Sequence, residues 1–183
     1  MLDLDVLATS WVNSLAGAWK PLDYAFVAVT TAGVPLIVLV VALQWWPRAN
    51  RSSERHVAIA CGLSFLVGLA LNQLILLFAH RLRPYDAGVT HLLIAPSSDP
   101  SFPSDHSTAV FSIAFAYLLH KRWLRAVAFI VAGSLVVFSR VYVGTHYVGD
   151  ILGGMLTAFI AASIIWMAYP QGTRIDRWVT SIL

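Results

Sequence analysis

His146 and Asp150 stand four residues apart in the stretch "GTHYVGD". At that spacing on a helix the two share a face. A carboxylate that holds one imidazole nitrogen fixes the ring's tautomer and raises the basicity of the other nitrogen. A base held by an orienting acid is the arrangement that activates a nucleophile. The same pair also serves as a plain interfacial contact, so its neighbours decide its meaning. Arg140 lies six residues before His146, and Arg83 is followed at once by Pro84. A lone arginine at the end of a membrane span usually reaches for headgroups. Two of them aimed at one place suit a phosphate, whose oxygens match the guanidinium fork. The third cluster is "SFPSDHSTAVF", residues 101–111. Ser104 after Pro103 fits an N-cap, with Asp105 and His106 opening the helix that follows. The free backbone N–H groups of such a terminus, the one at Asp105 included, bind phosphate, and His106 as imidazolium is placed to give a proton to a leaving oxygen. His106, His146, Asp105 and Asp150 are also conceivable metal ligands, but two arginines in the same pocket oppose a cation. His80, Arg81, Asp86 and His91 read as loop and rim residues.

These residues must be positioned by elements that live in lipid. The chain of 183 residues is 58% hydrophobic and only 11% charged, which places it in the membrane class as a single domain. A net charge of +3 is too small to indicate a nucleic-acid partner. A lone cysteine, Cys61 in an apolar run, excludes a disulfide framework and a zinc-cysteine site. The N-terminus begins with two acids and lacks the basic segment of a cleavable signal peptide.

Apolar runs predict spans over Tyr24–Trp46, His56–Phe78, Ser107–Leu119, Trp123–Phe138 and Tyr147–Ala168. The third and fourth are short, so their polar ends belong in protein or in a wet cavity. Residues 2–19 differ. Leu4, Leu7, Trp11, Leu15 and Trp19 recur at helical spacing, with Asp5, Thr9, Ser10 and Asn13 on the other side. This predicts an amphipathic helix lying in the interface rather than a sixth span. The expected fold is an all-α integral membrane protein: an interfacial helix over 1–20, a bundle of five to six transmembrane helices over 24–168 and a cytoplasmic tail over 169–183.

Eight of the twelve Lys and Arg residues fall on one side of this topology: Arg48, Arg51 and Arg55, then Lys121, Arg122 and Arg125, then Arg174 and Arg177. That side is expected to be cytoplasmic. The other side carries seven of the nine acids and all three polar clusters. The chemistry is therefore expected at the outer face. A channel or transporter would place ionisable groups at mid-span instead.

With Arg83-Pro84, Pro103-Ser104-Asp105-His106 and Ser139-Arg140-x5-His146-x3-Asp150 in this order, the chain resembles the type 2 phosphatidic acid phosphatase superfamily over about residues 72–160. The third motif is the most specific of the three. The resemblance implies a metal-independent, cofactor-free integral membrane enzyme acting on lipid phosphates or diphosphates. It implies that His146 attacks phosphorus, Asp150 orients it, Arg83, Ser104 and Arg140 hold the phosphoryl oxygens, and His106 exchanges protons. Two positions depart from the family pattern. Leu76 stands where the family usually has lysine, and His80, with Arg81 beside it, is the candidate substitute on the same helical face as Arg83. Asp105 stands where glycine is common, and its charge calls for pairing with Arg81 or Arg83. "FPSDH" is, however, the form of the bacterial undecaprenyl-diphosphate phosphatases of this superfamily. That likeness implies turnover of undecaprenyl diphosphate at the outer face of the cytoplasmic membrane, with other lipid phosphates as alternatives.

Overall fold

The computed structural model describes residues 2–46 and 50–182, so Arg48 lies outside the described residues. Among these, the chain is all helix: α1 (Leu2–Asn13), α2 (Lys20–Leu43), α3 (Arg51–Leu76), α4 (Asp105–Leu119), α5 (Trp123–Tyr142), α6 (Val148–Ala168) and α7 (Arg174–Thr180). Four of them, α2, α3, α5 and α6, are long and apolar enough to cross a membrane.

The expected third span, α4, is different in kind. Its 15 residues rise about 22 Å, short of a hydrocarbon core of roughly 30 Å. It is the hub of the bundle rather than a lipid-facing wall. The stretch Ser107–Ala114 is buried throughout, and α3, α5 and α6 pack around it. The bundle is thus four helices of full spanning length among the described residues, with the short α4 as its fifth, central member. Small residues let these helices approach. At Gly154 on α6, an added Cβ would lie 2.6 Å from the Ser104 carbonyl oxygen and 2.8 Å from Ser107 Cβ. The start of α4 and the start of α6 therefore meet backbone to backbone.

Hydrogen bonds sort the polar residues into two ends. At one end Arg122 and Arg125 pair with Glu54, and Arg55 donates to the Thr180 carbonyl at 2.9 Å. Residues 169–182 fold back onto that end of the bundle. Their helix α7 seats Asp176 against His56 of α3 at 2.8 Å, and Tyr169 donates to the same carboxylate at 2.7 Å. The three motif clusters are at the opposite end.

Residues 77–104 form a long connection that is tied down at that opposite end. Leu93 N–H donates to the Val143 carbonyl at 3.1 Å, and Thr90 Oγ1 to the Gly144 carbonyl at 2.9 Å. Gly144 has φ +84°, and a Cβ there would meet the His91 carbonyl oxygen at 2.5 Å, so the turn after α5 requires glycine. Helix α3 ends at Leu76, seven residues before Arg83. Pro84 is therefore not what stops α3, and Arg83 reaches the site from the connection. His80 shares no helical face with Arg83; it sits exposed in the same connection.

Candidate active site

Asp150 occupies the N3 position of α6. Its Oδ2 accepts the Tyr147 N–H at 2.9 Å, which caps the helix from within. Ser101 Oγ donates to the same oxygen, and Arg81 Nη1 donates to Oδ1 at 2.8 Å. The carboxylate is wholly buried and fully partnered. A charged group survives burial only in that condition.

His146 lies just outside α6, preceding its N-cap Tyr147, so it does not share a helical face with Asp150. Its Nδ1 is 2.9 Å from the Ser101 carbonyl oxygen and 3.5 Å from Asp150 Oδ2. The carbonyl can only accept, so Nδ1 carries the proton and Nε2 holds the lone pair. Nε2 is 3.5 Å from Arg83 Nη1. Burial holds this imidazole below its ordinary range. The interaction with Asp150 opposes that, while the charges of Arg140 and Arg83 add to it. A neutral ring with a free Nε2 is what a nucleophile needs near pH 7.

The cations around Nε2 come from different elements. Arg83 is held by the Asp99 carbonyl at 2.8 Å and the Thr145 carbonyl at 3.1 Å. Arg140, in the last turn of α5, donates through Nη1 to Thr30 Oγ1 of α2 at 2.8 Å. Its Nε is buried without a partner among the described residues. Arg83, Arg140 and His146 are 7%, 9% and 3% exposed, so two like charges are held close together and nearly dry. Such a pair is costly unless an anion completes it.

Helix α4 faces the same place. Ser104 is its N-cap, with Oγ accepting from Ser107 N–H at 3.5 Å, and its own N–H donates to the Asp150 carbonyl at 3.1 Å. This joins the α4 cap to the α6 cap. Asp105 and His106 open the helix, where backbone N–H groups have no helical acceptor. His106 is half-buried and within electrostatic reach of Arg140, His146 and Arg83.

The structure therefore brings together His146, Asp150, Arg83, Arg140, Ser104 and His106. It leaves His80 outside. The expected pairing of Asp105 with Arg81 or Arg83 is not what forms: its carboxylate accepts from Asn72 Nδ2 of α3 at 2.7 Å. Arg81 instead joins Asp150 to Asp5 of α1, with Nη2 to Asp5 Oδ2 at 2.6 Å. Ser101, Asn72, Thr30 and Asp5 are not among the site residues expected from the sequence. Ordinary hydroxyls, amides and acids carry no signature until a partner is placed beside them. Only Asp5 had a signal, the polar stripe it forms with Thr9 and Asn13.

The family model of the PAP2 superfamily matches residues 57–174. The undecaprenyl-diphosphatase BcrC of Bacillus subtilis (strain 168) is 37% identical over 81% of this chain and 76% of its own length. The putative undecaprenyl-diphosphatase YbjG of Escherichia coli (strain K12) is 36% identical over 79% and 73%. Among solved structures, the first transmembrane PAP2 type phosphatidylglycerolphosphate phosphatase from Bacillus subtilis superposes with a TM-score of 0.67. It covers 94% of this chain and 88% of that one at 23% identity, a likeness of fold. With the three motifs converging at one end of the helical bundle and the family match spanning most of it, the chain belongs to the PAP2 superfamily.

Proposed function

We propose that the protein hydrolyses undecaprenyl diphosphate to undecaprenyl phosphate and inorganic phosphate at the outer face of the bacterial cytoplasmic membrane, recycling the carrier lipid of cell-wall synthesis. The names carried by two relatives support the substrate. The observation that carries the reaction is the convergence of Arg83, Arg140 and the start of α4 on the free Nε2 of His146. The outer-face placement is supported by the basic residues Arg55, Arg122 and Arg125 gathered at the other end of the bundle.

In this reading the terminal phosphate sits between the two guanidinium groups and the α4 terminus. His146 Nε2 attacks phosphorus. The bond from phosphorus to the bridging oxygen breaks, and its electron pair leaves with the lipid monophosphate. A phosphohistidine remains. Asp150 holds the ring in the right tautomer and balances the imidazolium charge. His106 then takes a proton from water, the water oxygen attacks phosphorus, and the P–N electrons return to Nε2 as inorganic phosphate departs. Charge spread over the equatorial oxygens is what the arginines and backbone N–H groups stabilise. A lipid monophosphate leaves more readily than an alkoxide, so His106 matters more in the second step. Two buried arginines suit an anion and oppose a metal ion, so the reaction is expected to need no metal.

A second reading is hydrolysis of a lipid monophosphate such as phosphatidylglycerophosphate, phosphatidic acid or lipid A. The neighbouring structure is a phosphatidylglycerolphosphate phosphatase, and the site residues hold phosphate without reading a tail. Phosphate release from a panel of purified lipid phosphates and diphosphates, in excess EDTA, separates the two. The polyprenyl diphosphate is expected to turn over fastest, and His146→Ala to abolish release from a folded protein. Faster turnover of a glycerolipid monophosphate selects the second reading. Substantial release by His146→Ala overturns the nucleophile assignment.

A further inference from the structure

Helix α1 is built inside out relative to a helix on a water-soluble protein. Its apolar residues Leu4, Leu7 and Trp11 face away from the bundle, and its polar residues face in. Asp5 Oδ1 accepts the Gly149 N–H at 2.7 Å, and Thr9 Oγ1 accepts the Val148 N–H at 3.1 Å. Those are first-turn donors of α6 that have no acceptor within their own helix. Asn13 closes the contact by donating to the Tyr142 carbonyl at 2.8 Å and accepting from the His91 N–H at 2.7 Å. The polar stripe of α1 thus caps α6 from outside, one residue before Asp150.

Arg81 stands between the two acids of this arrangement. One terminal nitrogen donates to Asp150 Oδ1 at 2.8 Å and the other to Asp5 Oδ2 at 2.6 Å. Its guanidinium lies 3.8 Å from the centre of the Tyr147 ring. Both terminal nitrogens donate to carboxylates, so Arg81 is anchored between Asp150 and Asp5. It occupies one oxygen of Asp150 and leaves the other for Ser101, the Tyr147 N–H and His146.

We propose that Arg81 and Asp5 are positioning residues of the reaction, and that α1 is the clamp that holds Asp150 against His146. The proposal rests on the assignment of His146 and Asp150 made above. Arg81 fixes the direction of the Asp150 carboxylate. Asp5 supplies the second negative charge, so that Arg81 can do this without making the surroundings of His146 more positive. The charged and titratable groups facing His146 are Arg83 from the connection, Arg140 from α5, His106 from α4 and Asp150 from α6, with Arg81, Asp5 and Tyr147 behind Asp150.

This balance predicts shifts of opposite sign. Arg81→Gln removes a positive charge and releases Asp150, so His146 binds its proton more tightly. The acid limb of kcat/KM should then move up by about half a pH unit, with kcat down about tenfold as the ring loses its orientation. Asp5→Asn keeps an acceptor for the Gly149 N–H but leaves the charge of Arg81 half uncompensated, and the limb should move down. KM should change less than about threefold in both. The measurement is the pH profile of kcat/KM for the full chain in lipid micelles, on one substrate, for the wild type and both variants. Limbs that move together or stay in place overturn the proposal, as does a tenfold rise in KM with an unmoved limb, which would make Arg81 a phosphate ligand. If Arg81→Gln does not fold, Asp5→Asn decides alone, since its downward shift is required. An active His146→Ala would refute the nucleophile assignment whatever the limbs do, whereas an inactive His146→Ala with unmoved limbs refutes only the clamp.

Discussion

The atom proposed as the nucleophile, Nε2 of His146, is selected by a backbone carbonyl. The Ser101 carbonyl accepts a hydrogen bond from Nδ1–H of His146 and leaves Nε2 unprotonated beside Arg83, while Asp150 acts from 3.5 Å away. Burial and two arginines keep the ring neutral, which sets the pH dependence. A nucleophile whose protonation lies below the ordinary imidazole range stays active as pH falls toward about 6.5 and is lost only below it. The acid limb of kcat/KM for the wild type is therefore expected below that value, and a limb at or above pH 7 would contradict the assignment. Arg140 gives a second residue-scale prediction. Its fork donates to Thr30 through Nη1, and its buried Nε has no partner among the described residues. A lysine offers a single point charge in its place, so Arg140→Lys is expected to lower kcat/KM by about a hundredfold, measured as steady-state phosphate release. That His146, Asp150, Arg140 and Arg83 belong together was legible from the chain, by their identity and order. The pairing of Asp105 with Asn72 was not, because an asparagine in an apolar run looks the same with or without a partner.

At the scale of elements, the site is the junction of two helix starts. The Ser104 N–H reaches the Asp150 carbonyl, and Gly154 lets α6 press against the α4 cap. A methyl group at Gly154 meets the Ser104 carbonyl, which is backbone and cannot swing aside. Gly154→Ala is therefore expected to cost about 1–3 kcal/mol and to lower turnover by displacing the α4 terminus proposed to bind phosphate. Thermal unfolding in detergent together with the phosphate assay checks it, and an unchanged midpoint with full activity would show that the two starts are not tightly coupled. The spans themselves were legible because lipid demands long apolar runs. Their ends were less so. Leu77 and Phe78 continue the apolar run of α3 and are exposed after the helix has ended, so hydropathy placed the boundary two residues too late, and the helical face expected for His80 and Arg83 does not form.

At the scale of the molecule, the bundle separates two polar ends. The one remote from the site is held by Asp176, which accepts from His56, Tyr169 and the Gly172 N–H at 2.6–2.8 Å. Burial would raise this carboxyl, but the hydrogen bonds from Gly172, Tyr169 and His56 outweigh it and hold it below the usual carboxylate range. A depressed carboxyl contributes stability above its unfolded pKa and loses it as pH falls through the folded value. Asp176→Asn is thus expected to destabilise the protein by about 2 kcal/mol at neutral pH, and the gap to the wild type should close only well below pH 4. Chemical unfolding across pH tests this, and equal stability at pH 7 would show that α7 does not anchor the bundle.

The chain by itself determined the solvent, the apolar runs that build the bundle and the gathering of the three motif clusters at one end of it, because hydropathy, charge asymmetry and motif order are local and additive along a sequence. Tertiary structure decided which atoms meet. It turned the polar stripe of α1 inward onto Arg81 and the start of α6, made the short α4 a buried hub, and took Arg83 off its helix to face His146. Those outcomes depend on how a few buried donors and acceptors find partners across 63 to 144 positions of chain, and no periodicity along the chain encodes that pairing.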